Sequence, residues 1–148
     1  MILNIGGCSF SKNKEEEAYA TYEYQNKNGE MAEICINEDE ISFHNIDVSV
    51  IQKKKAAMLQ LKEGKKQEAE GKTLSDEEKK ELLEQCMTKV NVDALKECSS
   101  AYSSEYVEES QAVYFDMEIE NESITIIYDL KHKTLNYYDM EFLKKNEG

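Results

Sequence analysis

Val113-Tyr114-Phe115-Asp116-Met117-Glu118-Ile119-Glu120 alternates without a break: Val113, Phe115, Met117 and Ile119 are apolar, while Tyr114, Asp116, Glu118 and Glu120 are charged or amphipathic. Successive side chains of a β-strand point to opposite faces, so this period of two predicts a strand with one dry and one wet face. Toward the carboxyl terminus, Asn121 to Ser123 turns the chain into Ile124, Ile126, Tyr128 and Leu130. Lys131-His132-Lys133 turns it again, toward a third strand over Leu135 to Phe142. Residues 111–143 therefore read as a three-stranded meander.

The amino-terminal third repeats the pattern. Ala18, Ala20, Tyr22 and Tyr24 share one side of a strand, and after Asn28-Gly29 so do Ala32, Ile34 and Ile36. Asn-Gly tolerates the positive φ angles of a tight hairpin turn. A turn at Asn37 to Asp39 leads to Ile41 and Phe43, which completes a second meander within residues 1–48. Ile2, Leu3 and Ile5 predict a short extra strand that Gly6-Gly7 ends.

Between the meanders, residues 49–110 read as helical. A helix starting near Val50, with Ser49 and Gln52 as a capping box, would bury Val50, Ile51, Ala57, Met58 and Leu61 and leave Lys53, Lys54 and Lys55 wet. Gly64 and Gly71 bracket a charged stretch with little to bury, so residues 64–73 are expected to form a mobile loop in which Lys65 to Glu70 is exposed. Ser75 and Glu78 make a strong helix start, and Leu82, Leu83, Cys86, Met87 and Val90 its buried face. Leu95, Cys98, Tyr102 and Tyr106, spaced three and four apart, predict a third helix that ends before Gln111. Runs of strands separated from a run of helices imply an α+β fold, an antiparallel sheet with the helices packed to one side. At 148 residues a single domain, 1–148, is the default.

Charge is distributed unevenly over this pattern. The net −13 is carried by the flanks: three Lys against ten acids in residues 1–50, and four against eleven in residues 101–148. Residues 51–100 hold eleven Lys and ten acids. Arg is absent, which removes the bidentate fork of most nucleic-acid readers, and with the acidic balance this argues against direct nucleic-acid binding. Lysine in place of every arginine points to an AT-rich bacterial or phage genome. No apolar run approaches the ~18–20 residues of a membrane span. Ile5-Gly6-Gly7-Cys8 has the form of a lipoprotein cleavage box, yet Met1 to Ile5 supplies neither a basic n-region nor the apolar stretch of a signal peptide, so a cytoplasmic protein is expected.

Chemistry-bearing residues are sparse. Cys8 is a weak candidate nucleophile that would need His44 or His132 beside it to lower its thiol pKa. Cys8, Cys35, Cys86 and Cys98 lack metal-site spacing and read as reduced thiols, and Glu38-Asp39-Glu40 lacks the pattern of a calcium loop. No phosphate-binding glycine motif occurs, so neither a cofactor nor a metal is expected and a non-enzymatic role is favoured. Outward carboxylates on one strand stand ~6.7 Å apart, whereas DNA phosphates advance ~3.4 Å along each strand, so a DNA mimic would need Glu23, Glu33 or Asp129 to line up from neighbouring strands.

The leading expectation is a small protein-binding module, an inhibitor or immunity-type antagonist of a basic nucleic-acid-binding protein, with Tyr114, Asp116, Glu118 and Glu120 as the contact patch. Its alternatives are a ligand-binding or hydrolytic domain with an apolar pocket lined by Tyr22, Tyr24, Phe115 and Tyr128, and a structural component docking through Lys65 to Glu70. The free edges of a short antiparallel sheet also leave room for a homodimer.

Overall fold

The computed structural model describes residues 12–146. Within them the fold is α+β and the sheet is antiparallel throughout. After a helical stretch over residues 12–17 come β1 (Ala20–Gln25), β2 (Met31–Ile36) and β3 (Ile41–His44). Helices α1 (Val48–Ala69) and α2 (Asp76–Lys89) follow, and a 3-10 turn covers Asp93–Leu95. Next come β4 (Cys98–Ser100), β5 (Ser103–Val107), β6 (Ala112–Ile119), β7 (Glu122–Asp129), β8 (Thr134–Tyr137) and β9 (Met140–Lys144). The strand expected over Ile2 to Ile5 lies outside the described residues. Contacts group the chain into two compact units: the helical segment Asp47–Asp93, and the remainder, which carries the sheet.

Strand order in the sheet is β4-β3-β2-β1-β9-β8-β7-β6-β5. The two edge strands are consecutive in sequence, joined only by Ala101 and Tyr102. Three Cα steps span at most about 11 Å, so the edges must come together and the sheet curls back on itself. Rings from distant strands accordingly meet inside: Tyr22 of β1 on Tyr128 of β7 at 6.0 Å and Phe43 of β3 on Tyr137 of β8 at 5.4 Å. The interior is built from the alternating sets read in sequence. Ile34 and Ile36 face it from β2, the four apolar residues of β6 face it together, and Ile124, Ile126 and Tyr128 face it from β7. The helical stretch is tied to one end of this curl, where Tyr19, Tyr102 and Ser104 all direct hydroxyls at the Glu15 carboxylate.

Turn chemistry accounts for the register. At β1–β2, Gly29 takes φ +90 and its N–H donates to the Asn26 carbonyl at 2.9 Å. The β6–β7 loop is Glu120-Asn121, with φ 48 and 67, the two positive values of a type I′ hairpin. The β7–β8 turn is closed by Asp129, whose Oδ1 accepts from the N–H groups of Lys131 and His132.

Several features depart from the sequence reading. Residues 98–107, expected as helix, form β4 and β5. The apolar markers Cys98, Tyr102 and Tyr106 are four apart, which is a multiple of two, so one spacing suits both periods and pairing with β3 and β6 decides the matter. The expected strand Leu135 to Phe142 is a hairpin, folded at Tyr138 with φ 54, so the carboxyl-terminal meander has five strands counted from β5 and joins the first through β9–β1 pairing. Residues 64–69 belong to α1 instead of a loop, since a helix tolerates one glycine at a penalty of about 0.5–1 kcal/mol.

The helical unit is held by its own contacts. Asp47, upstream of the expected start, caps α1 by accepting from the Ser49 N–H at 3.1 Å. Ser75 caps α2 in a full capping box with Glu78, as its sequence predicts. Gln52 Nε2 donates to the Met87 carbonyl at 3.0 Å and Gln60 Nε2 to that of Lys79 at 2.6 Å, which fixes the helices side by side. Ile51, Ala56 and Cys86 are buried between them or nearby, but Ala57, Met58 and Leu61, expected in the core, are exposed.

Candidate protein-binding face

The outer surface of the curled sheet is where the candidate residues lie. Alternation along β6 sends Phe115 and Met117 inward and leaves Asp116 and Glu118 exposed, with Tyr114 half-buried among them. Register then supplies neighbours that the sequence could not. Tyr114 stands between Glu105 of β5 and Ile127 of β7, and the row continues through Asn136 of β8 to Glu141 of β9. Asp116 stands between Ser103 and Thr125, and the Thr125 hydroxyl donates to its Oδ1 at 2.6 Å. Glu118 faces Ser123. The result is a short aromatic and aliphatic centre, Tyr114 and Ile127, flanked by Glu105, Asp116, Glu118 and Glu141, with small hydroxyl residues between the charges.

Glu120 is exposed but lies in the turn beyond the strand, so it extends the patch at its end instead of continuing the row. Glu105 and Glu141 were missed in sequence for separate reasons. Glu105 fell inside the segment read as helix, and Glu141 inside a hairpin read as one strand. The period-two placement of Ser103, Glu105 and Val107 was the available signal for the first.

The other acidic candidates lie in the neighbouring cross-strand row, where Glu33 and Asp129 are engaged locally. Glu23 and Glu33 are opposite each other on β1 and β2, and Lys145 Nζ reaches Glu33 Oε1 at 2.9 Å, a bond that holds the Lys145 ammonium above its ordinary range. Asp129 is engaged by its own turn: His132 Nδ1 lies 2.6 Å from Oδ2, and this contact, with the two backbone N–H bonds, holds the carboxyl below its ordinary range. Register places Glu33, Glu23 and Asp129 in one cross-strand row, but the uncharged Leu143 and Thr134 stand between Glu23 and Asp129, so the row is not evenly charged.

Both histidines have carboxylate partners. His44 Nδ1 lies 2.8 Å from Glu97 Oε2, and Glu97 Oε1 accepts from the Asn45 N–H at 3.0 Å, so this acid too is held below its ordinary range. Cys8, the thiol proposed to meet a histidine, lies outside the described residues. Cys98 is half-buried, and burial followed by the charges of Glu97 and Glu120 pushes its thiol up to about 11. Among the described residues no three His, Cys, Asp or Glu side chains form a metal-binding group. No helix of the described chain is long and apolar enough to cross a membrane.

The pocket aromatics are interior residues that pack on one another. Tyr22, Phe115 and Tyr128 are fully or nearly fully buried, and the Tyr22 hydroxyl donates to the Ala18 carbonyl at 2.7 Å. Tyr24, half-exposed, lies 5.3 Å from Phe142. Tyr137 Oη is buried and has no hydrogen-bond partner among the described residues.

The chain matches no protein-family model, and no curated protein or solved structure is significantly similar to it. Function has to be argued from the surface itself.

Proposed function

We propose that this protein is a small acidic binding module of the cytoplasm that antagonises a basic, nucleic-acid-binding protein through the outer face of β5–β7. The observation that carries the reading is the composition of that face: Glu105 across the ladder and Asp116 and Glu118 along β6 flank Tyr114 and Ile127 on hydrogen-bonded strands, where their spacing is set by the ladder. An aromatic and aliphatic centre flanked by charges of one sign matches the anatomy of polar interfaces, in which a small desolvated core supplies affinity and the charged rim supplies steering. The like charge of the remaining surface supports it. Outside the helical segment the sequence has eight Lys against twenty-one acids, a field that speeds approach of a basic partner and falls with salt.

The test is capture from a bacterial lysate at low salt, repeated with Asp116→Lys/Glu118→Lys and with Tyr114→Ala. A basic protein retained by the wild type, lost on charge reversal and released as salt is raised is the expected result. Retention that ignores both the substitutions and the salt would remove the acidic face from the reading.

A further inference from the structure

Residues 12–17 hold on to the sheet unit without burying a side chain. Lys14 and Glu15 are half-buried, Lys12, Asn13, Glu16 and Glu17 are exposed, and the interior begins only at Ala18. Polar contacts attach the stretch instead, and they reach separate parts of the curl. The Glu15 carboxylate accepts from the hydroxyls of Tyr19, of Tyr102 in the link between β4 and β5, and of Ser104 in β5. Lys12 Nζ lies 3.6 Å from Glu38 in the β2–β3 turn, and Lys14 Nζ stands 6.0 Å from the centre of the Tyr106 ring of β5. From β9, Lys144 Nζ donates to the Glu17 carbonyl at 3.2 Å. The β2–β3 turn, β9 and β5 are spread along the strand order, so this one short stretch spans an end of the curl. A segment with exposed hydrogen bonds and few buried apolar contacts belongs to the low-stability end of a fold and opens locally before the rest.

We propose that residues 12–17 form a detachable strap, and that lifting it creates a binding site for an apolar anion at Lys144, Tyr22 and Tyr128. Lys144 stands opposite Tyr22 in the β1–β9 ladder, and its Nζ is 5.4 Å from the centre of the Tyr128 ring. Tyr22 and Tyr128 are buried and meet edge to face at 6.0 Å. The Tyr22 hydroxyl is committed to the Ala18 carbonyl at 2.7 Å, so the two rings offer apolar surface and Lys144 supplies the polar contact.

With the strap in place, the Glu17 carbonyl engages that ammonium. Lifting the strap releases it beside the rings and removes three carboxylates, Glu15, Glu16 and Glu17, from the same end of the curl. An ammonium at an aromatic mouth selects a negative charge carried on an apolar body, the chemistry of a fatty or aromatic carboxylate or sulfonate. The strap is therefore autoinhibitory: its backbone oxygen stands where the anion of the ligand would bond. This inference goes beyond the antagonist reading and does not depend on it, since no residue of the acidic face takes part.

The test uses the full chain, hydrogen exchange, and the dye anilinonaphthalene sulfonate as the apolar anion. Glu15→Ala removes the acceptor of all three hydroxyls. Exchange of the Ala18 and Tyr19 amides, which donate to the carbonyls of Glu15 and Glu16, is expected to rise about tenfold in this variant while β6 and β7 keep their protection. Saturable dye binding should appear with it, and should fall several-fold when Lys144→Met is added. The pair Tyr102→Phe/Ser104→Ala, which removes two of the donors and leaves Glu15 in place, should reproduce both effects. Exchange that stays at the wild-type rate in Glu15→Ala, protection lost equally in β6 and β7, absence of dye binding in both variants, or dye binding indifferent to Lys144→Met overturns the inference. Reversing Asp116 and Glu118 should leave the dye response unchanged, which separates its failure from that of the acidic face.

Discussion

The sheet unit and the helical unit solve the problem of stability in opposite ways. The sheet carries all of the net charge and nearly all of the core: Tyr22, Tyr128, Tyr137, Phe115 and Phe142 are buried inside it. The helical unit is neutral and long, yet α1 buries only Ile51 and Ala56 among its twenty-two residues, and α2 only Cys86 among fourteen. Its order comes from caps, from two glutamine bonds between the helices and from helix propensity. The difference shows that burial and charge can be assigned to separate parts of one chain, so that a densely acidic surface is supported by a deep aromatic interior.

Truncation of the interior offers the largest test. Phe142→Ala, at a fully buried site against Tyr24, is expected to destabilise by about 3–5 kcal/mol in denaturant unfolding. Leu61→Ala, in the helical unit, should change monomer stability by less than about 0.5 kcal/mol because the side chain is exposed. Equal losses at the two positions would mean that the units share one core.

Next in size is the cap of α2. Ser75→Ala removes the acceptor for the Glu78 N–H at 3.2 Å and half of the capping box, and about 1 kcal/mol of helix stability should go with it. Hydrogen exchange should report the loss in α2 and leave β6 and β7 protected, if each unit owns its stabilising contacts. Loss of protection in both would join them into one cooperative body.

Tyr137→Phe should act in the opposite direction. A buried hydroxyl without a partner bears its desolvation penalty uncompensated, so its removal is expected to stabilise the sheet unit by about 1 kcal/mol. Measured destabilisation would instead reveal a partner for that oxygen, such as an internal water.

The smallest effect concerns pH. Asp129 is held below its ordinary value of 3.8, first by the His132 imidazole and then by the N–H groups of His132 and Lys131. A carboxyl depressed in the folded state stabilises the fold above its ordinary pKa, and that contribution disappears as pH falls through the depressed value. Titration of Asp129 followed by NMR should therefore show a midpoint below 3.8, moved upward in His132→Ala. An unchanged midpoint would assign the depression to the backbone donors alone.

Where the sequence was readable, one signal applied without competition. The β6 and β7 faces follow from alternation, the β1–β2 hairpin from Asn28-Gly29, and the α2 start from Ser75 and Glu78. The α1 start was misplaced because Asp47 and Ser49 both have capping side chains, and only backbone geometry shows which one accepts. Of the candidate face, Asp116 and Glu118 were legible because they lie on the strongest strand. Glu105, Ile127 and Glu141 join them through cross-strand register, which no single segment encodes.

By itself, the sequence determined the class of the fold and the two faces of its main strands, because apolar period and turn chemistry act within a few residues. It also determined the separation of charge between flanks and middle. Only the tertiary structure decided that residues 98–107 are strands, that the sheet curls until its two edges meet, and that Met58 and Leu61 remain outside the core. Those outcomes depend on which distant segments pair. Edge hydrogen bonds and the area left to bury are set by distant partners, as far apart in sequence as Tyr22 and Lys144, and a local pattern compatible with two periods or two faces is settled by them.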